Sequence, residues 1–209
     1  MAMTPLTAGA ARDAIAAKYP DYVKPGPMVT KVLPTRELVE QACGKGAGAC
    51  AHMGSSTVSL PTNPSASLVN HETLHALTSP KWGDRVPRTV NESVTEYFNR
   101  KMGYFAPGGF VSKKAYEGGQ PLLDRYIAAK PGREDALAKA YFTGDFSALE
   151  ALEDRPTFGR AAPGDVLNSR LAQWDSLLKN RRPGASVTID DEDLPKPPEP
   201  PVLRVVPGI

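Results

Sequence analysis

The chain has 209 residues, 41% of them hydrophobic, enough for one domain with its own core. Its formal charge of +2 comes without a basic block, so nucleic-acid binding finds no support, and no apolar run reaches the length of a membrane span. The start, Met1-Ala2-Met3-Thr4-Pro5-Leu6-Thr7-Ala8, lacks the charged head and apolar centre of a secretory signal. The expectation is a cytoplasmic protein, or one exported by a non-classical route.

Residues 6–18 and 35–43 read as helices, separated by Pro20, Pro25, Pro27 and Pro34. Cys43 and Cys50 then flank a short Gly/Ala-rich loop that could accommodate a disulfide; their spacing is not that of a zinc ribbon. Asn63 and Pro64 look like an N-cap and first helical residue, and Pro80 like the stop, of a bounded and half-buried helix. Leu68, Val69, Leu74, Ala76 and Leu77 supply its apolar flank.

That helix carries His71-Glu72-Thr73-Leu74-His75, which takes two of the chain's three histidines. Four helical residues advance about 6 Å and turn about 400°, so both imidazoles lie on one face, one turn apart. Both can reach one tetrahedral Zn²⁺, and Glu72 can touch a water held by that ion. An ordinary solvated helix face is the bland alternative, but the bounded helix favours the metal.

A catalytic zinc needs a third protein ligand and one open position. No histidine follows His75, which excludes the class whose third histidine comes six residues later. The next strong helical pattern, Val90, Val94, Tyr97, Phe98 and Met102, ends at Gly103 and places Glu92 and Glu96 one turn apart on another stripe. Glu92 is expected to bind the metal, and Glu96 to accept a hydrogen bond from the free ring nitrogen of a liganding histidine. Thr89-x-x-Glu92 also matches a capping box, in which the glutamate would only satisfy a helix start.

His71-Glu72-x-x-His75 followed by Asn91-Glu92-x-x-x-Glu96-Tyr97-Phe98 resembles the gluzincins, zinc peptidases with a glutamate third ligand. The second segment looks like the signature of aminopeptidase-N-like enzymes, with Ser93 in place of the usual glycine. The resemblance covers residues of roughly 40 to 105 and implies an α+β fold. A small antiparallel sheet would pack on the zinc helix, followed by a mainly helical part, with residues 1–80 and 81–182 as the two lobes. Ala49–Gly54 and Ser56–Leu60 would be its short strands, the first an edge open to an extended substrate. No acidic residue lies between Glu40 and Glu72 to anchor a substrate's free amine, which argues for internal cleavage of a protein or peptide. Tyr116 is the candidate for steadying the oxyanion, by analogy with compact metallopeptidases. His52 is expected to be a partly exposed strand residue, or else a group that approaches the metal or substrate.

Further helices are expected at 113–129, 133–142, 146–152 and 164–180, the last with a core-facing stripe of Leu167, Leu171, Trp174, Leu177 and Leu178. From residue 183 the chain becomes acidic and proline-rich, an extended tail. The expected activity is that of a zinc endopeptidase resembling the metallopeptidase domains of bacterial toxins and effectors, with an inhibitory or delivery partner. A housekeeping peptidase and a non-catalytic zinc-binding interaction protein are the competing readings; retention of Glu72 argues against the latter.

Overall fold

The computed structural model describes residues 6–104, 120–153 and 163–179. In chain order they form α1 (Ala8–Lys18), β1 (Val29–Leu33), α2 (Arg36–Cys43), β2 (Cys50–Ala51), β3 (Thr57–Pro61), α3 (Ala66–Leu77), α4 (Pro80–Arg85) and α5 (Arg88–Lys101). Then follow α6 (Gln120–Ala128), α7 (Arg133–Thr143), α8 (Ser147–Glu153) and α9 (Pro163–Lys179). The architecture is α+β, and each helix expected from periodicity appears with its ends moved by a few residues. Tyr116, the expected helix start near 113 and the tail from 183 lie outside the described residues.

The sheet has the order β1-β3-β2, with β1 parallel and β2 antiparallel to β3. It is therefore mixed, where an antiparallel sheet was expected. The physical reason lies in the connections. β2 and β3 are joined by a tight turn in which Ser55 N–H donates to the His52 carbonyl and Gly54 takes φ +69°. Between β1 and β3 lies α2, the kind of crossover that parallel pairing requires. β1 escaped sequence detection because four of its five residues are exposed, so no alternation marks it. β3 does alternate, burying Val58 and Leu60.

Those two residues pack with Ala8, Ala11, Val69 and Ala76 in a small core under the sheet. A larger core gathers Ile15, Leu74, Trp82, Val94, Phe98, Leu137 and Tyr141 among the helices. α1 and α3 contribute to both cores. α3 thus lies between them, and every residue from Val69 to Ala76 is buried rather than only one face. Several of its polar residues find partners there; Thr73 Oγ1, for example, donates to the Val69 carbonyl at 2.7 Å.

The ends of α3 also differ from the sequence reading. Ser65 is the N-cap, its hydroxyl accepting from Leu68 N–H at 3.1 Å, while Asn63 sits in the left-handed region at φ +55°. α3 ends at Leu77, with Thr78 in extended conformation as its C-cap. Pro80 is the first residue of α4, where a missing N–H costs nothing, and so begins a helix instead of stopping one.

Of the last stripe, Leu171 is buried and Trp174 partly so, its ring meeting Tyr126 edge-on at 4.6 Å.

Candidate metal centre

The seam between α3 and α5 is polar along its length. α3 offers Ser67, Asn70, His71 and His75; α5 offers Glu92, Thr95, Glu96 and Asn99, spaced so that one stripe of each helix faces the other. At one end of the seam three donor atoms converge. His71 Nε2 and His75 Nε2 are 3.1 Å apart, and Glu92 Oε2 lies 3.1 Å from His75 Nε2 and 3.4 Å from His71 Nε2. A tetrahedral ion with bonds of about 2.0–2.1 Å separates its ligand atoms by about 3.3–3.4 Å. The triangle is therefore close to the size a small cation requires, and His71, His75 and Glu92 could hold a metal ion.

Glu92 does not cap its helix. α5 begins after Pro87 without any side-chain capping bond, and the Thr89 hydroxyl donates to Asp175 instead. Glu96 stands where the spacing placed it, Oε2 lying 3.3 Å from His71 Nδ1. That contact presents Nε2 to the centre with its lone pair directed inward. Asn99 Nδ2 in turn donates to Glu96 Oε2 at 3.2 Å and to Ser67 Oγ at 3.0 Å, and its own Oδ1 accepts from Asn70 Nδ2 at 2.8 Å.

His75 has an equivalent support that sequence reasoning missed. Thr95 Oγ1 lies 3.4 Å from His75 Nδ1 and 2.8 Å from Tyr141 Oη, while donating to the Asn91 carbonyl at 2.9 Å. With its proton committed to that carbonyl, Thr95 accepts from the imidazole and from the phenol. Thr95 carried one signal, its place between Glu92 and Glu96. Tyr141, from α7, carried none. Asn91, also on α5, accepts from Trp82 Nε1 at 2.8 Å and so ties α4 to the start of the ligand helix.

Electrostatics match this geometry. Burial disfavours a charged His71, but the Glu92 and Glu96 carboxylates outweigh it and raise the pKa to about 10. Burial would raise Glu92, yet the two imidazoles hold it well below the usual carboxylate range. The cluster thus favours positive charge between its donors. Glu72 is pushed up, chiefly by its burial, and has no hydrogen-bond partner among the described residues.

Glu72 opens instead into a cleft of about 900 Å³ together with His71, His75 and Glu92. The opposite wall is the segment 42–53, where the Cys43–Cys50 disulfide closes the Gly/Ala loop and ties α2 to β2, its Cα atoms 5.4 Å apart. β2 is an edge strand, as expected of the first strand, though only two residues long. His52 follows it, exposed on the cleft wall and outside the donor cluster. Met53 lies over Gly83 of α4, where an added Cβ would come within 2.3 Å of its sulfur. A side chain at position 83 would push the flexible end of Met53 aside.

No family model, curated protein or solved structure matches the chain.

Proposed function

We propose that the chain is a zinc-dependent endopeptidase, with His71, His75 and Glu92 as ligands and Glu72 as general base. The observation that carries the reading is the convergence of those three donors beside a buried glutamate that has no hydrogen-bond partner among the described residues and opens into a cleft. Nitrogen and carboxylate donors in a compact triangle suit zinc better than magnesium or calcium, which favour all-oxygen shells.

When bound, zinc would polarise the scissile carbonyl and bring a water's pKa toward about 7. The remaining work falls to the chain's own groups. Glu72 takes a proton from the attacking water and passes it to the leaving amine; its upward-shifted pKa suits both halves of that transfer. Glu96 and Thr95 keep each imidazole aimed at the centre. β2 aligns an extended substrate through main-chain hydrogen bonds. The strand offers no carboxylate for a free amine, which favours internal cleavage over removal of terminal residues. Tyr141 does not serve the oxyanion, because its hydroxyl is fully buried against Thr95.

The likeness to compact toxin and effector metallopeptidases remains part of this proposal by analogy, and with it the delivery partner. The test is zinc titration combined with hydrolysis of an unstructured protein such as casein. Zinc-dependent internal cleavage, lost in Glu72→Gln while zinc stays bound, is the expected result. Wild-type rates in that variant would exclude Glu72 as the base, and tight zinc binding without any turnover would favour a non-catalytic zinc protein.

A further inference from the structure

The ionisable groups of the cleft fall into two sets. Among the described residues its carboxylates are Glu72 and Glu92, both belonging to the metal centre. Opposite a divalent cation these carboxylates at most cancel its charge, so the centre adds no net negative charge to the cleft, in the Glu72→Gln variant as well. Beyond the two ligand imidazoles, the other ionisable side chains on the lining are Lys45, His52 and Arg88. The wall from 42 to 53 contains no acidic residue, so it contributes only positive charge.

Lys45 and Arg88 are placed to meet a ligand. Lys45 is exposed between Gly44 and Gly46, at φ +98° and +80°, in the loop that the Cys43–Cys50 disulfide fastens at its base. It has no ion-pair partner among the described residues. Arg88 comes from the other side of the cleft, one helical turn before Glu92, with its side chain 92% exposed. Its Nε is 4.0 Å from Glu92 Oε1, the oxygen turned away from the imidazoles. At that distance, and with the guanidinium itself in solvent, the pair holds Arg88 only weakly. The rest of the loop wall is mostly glycine and alanine, which lets a backbone approach closely without offering deep side-chain pockets.

We infer that this cleft selects acidic polypeptide segments, with Lys45 and Arg88 pairing with carboxylates on either flank of the bond at the metal centre. The inference rests on the peptidase reading for calling the segment a substrate; the recognition itself is a matter of charge. A cleft with low-dielectric walls focuses such a field, and added salt screens it.

The test uses three fluorescent decapeptides sharing a central Leu-Leu, flanked by Asp, by Asn or by Lys, and zinc-loaded Glu72→Gln protein to prevent turnover. The Asp peptide should bind roughly three- to tenfold more tightly than the Asn peptide, and the Lys peptide most weakly. Rising salt should erase the difference. Lys45→Gln and Arg88→Gln should each reduce the preference, and together abolish it, with Tm and zinc affinity unchanged. Equal binding of the Asp and Asn peptides, best binding of the Lys peptide, no binding of any, or a preference that survives the double substitution would each overturn the inference. Cleavage of the same peptides by wild-type protein separates the two readings. Asp-selective binding without cleavage removes the peptidase and keeps the acidic-ligand cleft, whereas unselective cleavage does the reverse.

Discussion

On one side of α5, Val90, Val94 and Phe98 enter a core in which the Phe98 ring lies 5.1 Å from Tyr141, 5.5 Å from Tyr19 and 5.7 Å from Phe142. On the other side, Glu92, Thr95, Glu96 and Asn99 meet the histidines and asparagine of α3 through hydrogen bonds and histidine–carboxylate pairs. Both faces are buried, but they are held by different physics. Shape and area stabilise the first. The second buries groups that cost stability unless each is paired, and well-packed apolar residues of similar volume would often do as well or better. So polar a seam between two central helices is what the proposed metal centre would require. The two faces also depend on one another: Tyr141 packs on Phe98 and, through its hydroxyl, holds Thr95.

Substitutions can pull the two faces apart. Glu72→Gln should reduce hydrolysis by about 10²–10⁴-fold, with Tm and zinc content unaltered, as steady-state kinetics and metal analysis would read. Phe98→Ala attacks the other face and should cost about 3–5 kcal/mol of stability in denaturant unfolding. An effect below about 1 kcal/mol would mean that the aromatic core does not position α5. Glu96→Gln and Thr95→Val leave the ligands in place but remove the groups that orient them. Each should weaken zinc binding by about 10–100-fold in competition with a chelator, and because each leaves a buried partner unpaired, each should also cost about 1–3 kcal/mol in unfolding free energy. Unchanged affinity in both would show that the imidazoles need no support from α5. Tyr141→Phe should give a smaller version of the Thr95 effect, since only the more distant link is cut.

Protons provide a milder probe. In the metal-free protein His71 is raised to about 10, so at pH 7 it carries a proton that an incoming cation must displace. Zinc binding should therefore release about one proton and tighten about tenfold per pH unit between pH 6.5 and 9. Calorimetry in buffers of different ionisation enthalpy measures that release directly. Affinity that does not vary with pH in this window would mean that His71 is already neutral.

Much of the site was legible in the chain. The His71-to-His75 spacing, the shortage of other histidines and the Glu92–Glu96 pair identified the donors that meet in space, and helix periodicity located the elements that carry them. Spacing alone left Glu92 open between ligand and cap; the start of α5 at Pro87 and the Thr89–Asp175 bond removed the cap. The all-round burial of α3 from Val69 to Ala76 was not legible, because it arises from packing between two cores rather than from the helix's own pattern. Nor was β1, an exposed strand that joins the sheet only through a crossover.

Local chemistry therefore determined which residues could act: side-chain type and the 3.6-residue period are properties of short segments and survive without the fold. Tertiary structure decided how they are held. The Tyr141 hydroxyl reaches Thr95 across 46 positions, and Asn99 reaches Asn70 across 29. The disulfide-closed loop faces the His71–His75–Glu92 cluster because β2 pairs with β3 beside α3. Such contacts follow from how whole elements bury their surfaces against one another, and no window of the sequence contains both partners.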